Sequence, residues 1–340
     1  MIMKKVLVGL SGGVDSTAVA LLLKEQGYEV FGVYLGFCGE NGEERARFAA
    51  EKLNIPFHTV NRRRRFENRV IKPFAEAYEQ GLTPNPCVEC NRCMKFACLL
   101  EEADRLGIET VATGHYACIR RGENGRMELC RGKDRNKDQS YFLWKLTQKQ
   151  LSRILFPLAN EEKGDVKERA KAYVSPEEKE SMEICFVPDG NTAAFLDRHC
   201  KSEEGNFVDS QGKVLGRHKG LVHYTVGQRR GLGIAMGERY FVLKLIPERN
   251  EVMLGAEPEL YTKEVFVKGL RFVSCTKKQV PEEGLGFRGR NRGEPIPCRV
   301  EFTKTGARIV FENPVRRFAP GQSACIYLGE KLLFGGEICL

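Results

Sequence analysis

The sequence predicts an α/β protein: a doubly wound parallel sheet, followed by smaller β-rich domains. Three observations point there. A strand-like run over residues 4–10, ending Val6-Leu7-Val8-Gly9-Leu10, meets a glycine turn at Ser11-Gly12-Gly13 and then a helical pattern. Strand and helix patterns alternate as far as residue 113. Beyond about residue 200 helical periodicity nearly vanishes, and glycine turns punctuate short β stretches.

Taken in order, Asp15 to Glu25 carries Val19, Leu22 and Leu23 at helical spacing and ends at Gly27. Val30 to Leu35 reads as a second strand, Glu43 to Leu53 as a second helix and Phe57 to Val60 as a third strand. Leu99 to Leu106 is helical and Thr110 to Thr113 extended. The β half shows strands at Phe207-Val208, Val214-Leu215, Tyr240 to Ile246, Glu251 to Leu254, Val265 to Leu270, Arg299 to Phe302, Arg308 to Phe311 and Ala324 to Leu328. These read as one or two small antiparallel barrels. Boundaries near 200 and 262 divide the chain into 1–200, 201–262 and 263–340. For 340 residues, two or three domains is the expected number.

Composition narrows the class. Hydrophobic residues at 42% and charged residues at 29% exclude a disordered chain. No apolar run reaches the ~20 residues of a membrane helix. The N-terminus runs straight into a strand pattern without a secretory signature, so a cytoplasmic protein is expected. The balance of 54 basic against 45 acidic residues, +9, suits an anionic partner. Thirteen cysteines in a reducing compartment are buried, catalytic or metal-bound.

The glycine turn carries chemistry. In Gly9-Leu10-Ser11-Gly12-Gly13-Val14-Asp15-Ser16 the glycines let the backbone turn sharply and approach a ligand closely. The helix N-terminus that follows offers free N–H groups to a phosphate. Ser11 and Ser16 add hydroxyls, and Asp15 suits a Mg²⁺ held between phosphates. The Gly-Lys-Ser/Thr ending of a Walker loop is missing.

The second dense segment is Thr83-Pro84-Asn85-Pro86-Cys87-Val88-Glu89-Cys90-Asn91-Arg92-Cys93-Met94-Lys95-Phe96. Its prolines predict a rigid, extended approach. Cys87, Cys90 and Cys93 stand at two-residue gaps, a spacing that gathers thiolates around zinc or an iron–sulfur cluster. Cys185 is the distant candidate partner. Cys98, Cys118, Cys130, Cys275, Cys298, Cys325 and Cys339 sit singly and read as packing residues.

Together these stretches resemble the tRNA-specific 2-thiouridylases of the MnmA type, within the PP-loop ATP pyrophosphatases. The resemblance runs on through Ala112-Thr113-Gly114-His115-Tyr116-Ala117, residues 136–143, Leu155-Phe156-Pro157-Leu158, Ile184-Cys185-Phe186, residues 214–218, residues 224–233 and Pro320-Gly321-Gln322-Ser323-Ala324. It implies a Rossmann-like domain of the adenine nucleotide α-hydrolase type, a small central domain and a C-terminal antiparallel β-barrel. It also implies ATP bound by Gly9 to Ser16 with Leu35 and Gly114. Cys90 would act at an adenylated wobble uridine, and Cys185 would carry the persulfide sulfur. Asn85, Pro86 and Cys87 would meet the flipped base. His115, Lys137, Asp138, Gln139, Arg290, Asn291 and Gln322 would touch tRNA. A sulfur-donor protein or sulfide is the second partner implied, and neither DNA nor membrane is expected.

The chemistry is consistent. Adenylation turns the uracil C2 oxygen into a leaving group. Two cysteines let one deliver sulfur while the other resolves the disulfide. The base must leave its stack. Arg62 to Arg65, Arg229-Arg230, Arg288, Arg290, Arg292 and Arg316-Arg317 are candidates for phosphates.

Three departures stand out. Cys87 replaces the usual Asp of Asn-Pro-Asp. The segment after Leu35 is short and carries Cys38. Glu180-Ser181-Met182-Glu183 replaces the usual Asp-Ser-Thr-Gly before Cys185. The first opens an alternative that the Cys-x-x-Cys spacing leans toward: a [4Fe-4S] cluster on Cys87, Cys90 and Cys185 in place of a persulfide relay. A PP-loop amide ligase and a non-catalytic tRNA-binding or sulfur-carrier paralogue are the other readings. The paired cysteines argue against the first, and the intact loop against the second.

Overall fold

The computed structural model describes residues 3–39, 42–123, 125–176, 184–187, 190–234 and 239–339. The N-terminal half is built on a five-stranded parallel sheet. Its spatial order is Phe57–Asn61, Glu29–Gly36, Lys5–Gly9, Thr110–Ala112 and Ile154–Leu155. The first strand is buried on both faces, which is why it reads as a continuous apolar run. Val6 and Val8 pack with Ala18, Val19, Leu22, Ala46 and Ala49, from helices Val14–Glu25 and Gly42–Leu53. Leu7 and Val33 face Phe96, Leu99, Ala103 and Trp144 on the other side. The strand order reverses beside Lys5–Gly9, and at such a switch point the carboxyl ends of the strands leave a crevice for ligands.

The cysteine segment differs from its expectation. Pro86 is the first residue of a helix, a position where its missing N–H costs nothing. Pro86–Cys90, Asn91–Lys95 and Phe96–Arg105 follow without a break, the middle stretch wound as a π-helix. Only the residues before Pro86 approach in extended form. A similar π-turn, Glu67–Ile71, lies between Arg63–Phe66 and Lys72–Glu79, so the arginine run opens a helix.

The central sheet holds Tyr240–Ile246, Glu251–Ala256, Gly205–Val208 and Val214–His218 in that order. Glu251–Ala256 pairs with Gly205–Val208 in parallel, so this unit is mixed rather than purely antiparallel. The C-terminal sheet is a closed six-stranded antiparallel barrel, sealed by pairing of Tyr261–Phe272 with Lys331–Cys339. A hairpin of the N-terminal half, Ala117–Arg121 with Met127–Arg131, extends this sheet through Leu129 opposite Leu332.

Two barrel strands, Leu285–Arg288 and Lys331–Cys339, escape the sequence pattern. Gly335 shows why for the second. A Cβ there would lie 2.5 Å from the Trp144 ring, so the strand gives up a side chain to let the N-terminal half dock. Among the described residues no helix is long and apolar enough to cross a membrane.

Candidate nucleotide and thiol site

A cavity of about 250 Å³ opens at the switch point. Gly9, Leu10, Ser11, Asp15, Ser16, Leu35 and Gly114, which the resemblance assigns to ATP, line it together with Val33, Tyr34, Phe37, Lys95, Leu99 and Thr113. Gly12 and Val14 belong to the same turn. Gly12 has φ +77°, and an added Cβ would meet the Arg45 backbone at 2.3 Å. Only glycine fits there. Gly13 precedes the first helical residue, and its carbonyl accepts from Ser16 Oγ at 3.1 Å. Ser16 Oγ in turn accepts from the Ser11 amide at 3.1 Å. The hydroxyls therefore brace the turn as well as facing the cavity. Gly114 is crowded against Asp15, 2.8 Å from Cβ to Cβ if substituted.

Asp15 has partners no local pattern predicts. Tyr116 donates its hydroxyl to Asp15 Oδ1 at 2.9 Å, and Lys163 Nζ donates to the same oxygen at 2.7 Å. The Lys163 side chain is only 12% exposed. A desolvated cation thus stands at the end of the phosphate loop. Its signal was Lys163 in Glu161-Glu162-Lys163-Gly164, which on its own resembles a solvated surface run.

His115 and Gln139 also line this cavity. His115 is buried, meets Thr113 Oγ1 through Nδ1 at 2.7 Å and packs between Phe96 and Phe156. Burial and then Lys95 hold its pKa well below the usual value, so the ring is neutral. Gln139 Oε1 accepts from the Tyr116 amide at 3.2 Å.

The thiols gather beside this cavity. Cys87 and Cys90 lie one helical turn apart, and Cys185 and Cys87 are solvent-accessible. The chain brings a fourth thiol. Cys38, in the short segment after the second strand, donates to the Cys185 carbonyl at 3.4 Å and lies within hydrogen-bonding reach of its thiol. This contact, with Lys95 behind it, brings the Cys185 pKa down to about 7. Burial pushes Cys90 up to about 12, against the pull of Lys95. Cys87 is raised by the same two opposed influences. Near neutral pH, Cys185 is therefore substantially ionised while Cys90 stays protonated. Lys95 is the residue the sequence reading passed over. It lies two positions after Cys93, lines the nucleotide cavity and acts on all three cysteines.

The expected cluster ligands do not assemble. Among the described residues no three His, Cys, Asp or Glu side chains are grouped to hold a metal ion. All thirteen cysteines are free thiols, Cys90 and Cys185 included. Cys93 sits half-buried with its carbonyl accepting from Arg65. The departure at residues 180–183 lies outside the described residues.

The tRNA candidates separate into two groups. Asp138 is fully buried: it accepts from Arg288 Nη1 at 2.5 Å, the Gly132 amide at 3.2 Å and both Ser140 donors. It clamps the N-terminal domain to the barrel. Gln322 donates to the Thr83 carbonyl at 2.7 Å, and the Thr83 amide donates to Pro320 O at 2.8 Å. The barrel thereby sets the approach to Asn85, Pro86 and Cys87. Lys137 is half-buried beside this clamp and Asn291 caps Arg288, whereas Arg290 is exposed over the Phe318 ring. Arg288, Arg290, Arg292 and Arg316 line one groove of about 210 Å³ on the barrel.

Fold and cavity define the class: a HUP-type nucleotide-binding domain carrying two β-domains. Family models agree along the chain. A tRNA methyl transferase HUP domain matches residues 4–189, a tRNA methyl transferase PRC-barrel domain residues 193–256 and an aminomethyltransferase beta-barrel domain residues 262–338. The chain is 43% identical to the tRNA-specific 2-thiouridylase MnmA of Carboxydothermus hydrogenoformans, covering 98% of this chain and 97% of the relative. It is 40% identical to the protein of the same name from Clostridium perfringens, covering 99% of each. The chain belongs to the tRNA-specific 2-thiouridylase family, MnmA type.

Proposed function

We propose that this protein uses ATP to thiolate C2 of the wobble uridine of tRNA, as a tRNA-uridine 2-sulfurtransferase. The observation that carries the reading is Lys95, which stands in the wall of the nucleotide cavity and whose charge pulls down the pKa of Cys87, Cys90 and Cys185 alike. Activation and sulfur delivery then share one electrostatic centre. The names of the relatives support tRNA as substrate.

In this reading the loop from Gly9 to Ser16, Leu35 and Gly114 hold ATP, with Lys163 near the phosphates. Among the described residues Asp15 is the single carboxylate in the cavity wall, and its Oδ1 is already shared. This fits a Mg²⁺ held mainly by phosphates, with Asp15 as its protein ligand; the ion would neutralise phosphate charge. The uridine C2 oxygen is adenylated and pyrophosphate leaves. The Cys185 thiolate attacks the outer sulfur of a donor persulfide, the donor thiolate leaves, and Cys185 carries that sulfur as a persulfide. Its terminal sulfur attacks C2 and AMP departs. Cys90 then attacks Cys185 Sγ and breaks its bond to the outer sulfur, so that a Cys90–Cys185 disulfide forms and the outer sulfur stays on C2 as the thiocarbonyl. Among the described residues no three His, Cys, Asp or Glu side chains are grouped to hold a metal ion, and no step here runs through a cluster on Cys87, Cys90 and Cys185. Cys87 stands at the mouth as a contact for the base, with Asn85 and Pro86.

The test is formation of 2-thiouridine by the purified protein in tRNA from cells that lack the modification, with ATP and a sulfur donor. Absence of product, with pyrophosphate release flat, would remove the reading.

A further inference from the structure

Cys38 has no assigned part in sulfur transfer, yet it is the thiol packed against Cys185. It reaches there from the end of Glu29–Gly36, across 147 residues of chain. Its segment is anchored on both sides. Phe37 stacks on Phe66 at 5.2 Å, and Arg63 donates to the Gly39 carbonyl at 2.8 Å. Cys38 is half-buried, and Cys185 is open to solvent.

We infer that Cys38 is the resolving thiol of the cycle, taking over the Cys185 sulfur so that Cys90 is released before any external reductant arrives. The inference rests on the thiolation reading above. The step balances. The Cys38 S–H loses its proton to water, its sulfur bonds to Cys185 Sγ, the Cys90–Cys185 bond breaks, and Cys90 leaves as a thiolate that takes up a proton. One disulfide is exchanged for another with no net oxidation. A dithiol reductant then reduces the Cys38–Cys185 bond at the solvent-accessible Cys185 side.

The surroundings time the exchange. Before turnover the Cys185 thiolate accepts from Cys38, and this contact, burial and the charge of Cys185 hold Cys38 protonated, against Arg63. Once Cys185 and Cys90 are joined, the acceptor thiolate and its charge are gone, and burial alone opposes Arg63. Cys38 is thus held protonated beside the free Cys185 thiolate and is released from that contact when Cys185 and Cys90 are joined. Lys95, which faces Cys90, steadies the departing thiolate.

Two measurements on the full chain test this. In the first, the folded protein is oxidised with a mild diazene oxidant without tRNA and its disulfides are mapped by mass spectrometry. A Cys38–Cys185 bond is expected as the main product. Its absence overturns the inference whether or not the protein thiolates tRNA. In the second, protein loaded with one sulfur on Cys185 is given ATP and tRNA without reductant, quenched in acid and mapped. Wild type should end with Cys38–Cys185 joined and Cys90 free. The Cys38→Ser variant keeps a hydroxyl donor toward Cys185 and should stop at Cys90–Cys185. Its steady-state rate with a dithiol should fall about tenfold further than its first turnover. Accumulation of Cys90–Cys185 in wild type overturns the inference. Absence of thiolated tRNA with the Cys38–Cys185 bond present after oxidation instead removes the thiolation reading, and the relay with it.

Discussion

Arg288 of the C-terminal barrel donates to Asp138 of the N-terminal domain at 2.5 Å, with both side chains withdrawn from solvent. A buried ion pair adds little net stability when complete, but removing one partner strands the other charge. Arg288→Met should therefore lower stability by about 3–5 kcal/mol, read as a fall in the denaturant midpoint. The double variant with Asp138→Asn should recover part of that loss.

Gly12 carries the phosphate turn at φ +77°, with the Arg45 backbone in the space a Cβ would need. Gly12→Ala should abolish ATP binding by calorimetry while the far-ultraviolet circular dichroism stays that of the folded protein. Retained binding would show that the turn is not the nucleotide cradle.

Lys163 holds Asp15 at 2.7 Å beside the loop. Lys163→Met removes a desolvated cation from the phosphate end of the cavity. ATP should bind at least about tenfold more weakly, ~1.4 kcal/mol. An unchanged Kd would confine Lys163 to fixing Asp15.

Cys185 titrates near pH 7 because Cys38 and Lys95 favour its thiolate. Its alkylation rate by iodoacetamide should rise through about pH 7, well below the other thiols. Lys95→Met should move that midpoint upward and also weaken ATP binding. A midpoint that does not move would separate Lys95 from the thiols.

His115 is buried and neutral, with its pKa lowered in the folded state. The unfolded chain takes up the proton first. Stability is therefore full above the unfolded value of 6.5 and is lost as pH falls below it. Thermal midpoints should decline from pH 6.5 toward 5, and His115→Gln should flatten that decline. An identical slope in the variant would assign it to other groups.

The phosphate loop, the parallel sheet and most barrel strands are local matters. A buried strand, a glycine turn and a helix start each leave a pattern within a dozen residues, so Gly9 to Ser16 could be read with its chemistry. The Cys-x-x-Cys pair was equally visible, although its helix was not: Pro86 reads as a breaker until it is seen to sit at a helix start. Asp138 shows the opposite case. The family resemblance implies a contact with tRNA there; the fold buries the carboxylate against Arg288, because a carboxylate at that depth must find a cation, and no local pattern shows this.

The chain's own residues thus determined a nucleotide-binding α/β domain with β-domains after it, two chemically active segments and the family. The partners of those segments were decided by folding. Lys163 meets Asp15 across 148 residues, Cys38 meets Cys185 across 147 and Arg288 meets Asp138 across 150. Contacts at such separations leave no periodicity in a sequence. They exist because packing the sheet, its helices and the barrel forces buried charges and thiols to find one another, and those encounters set which thiol is ionised and which cation faces the nucleotide.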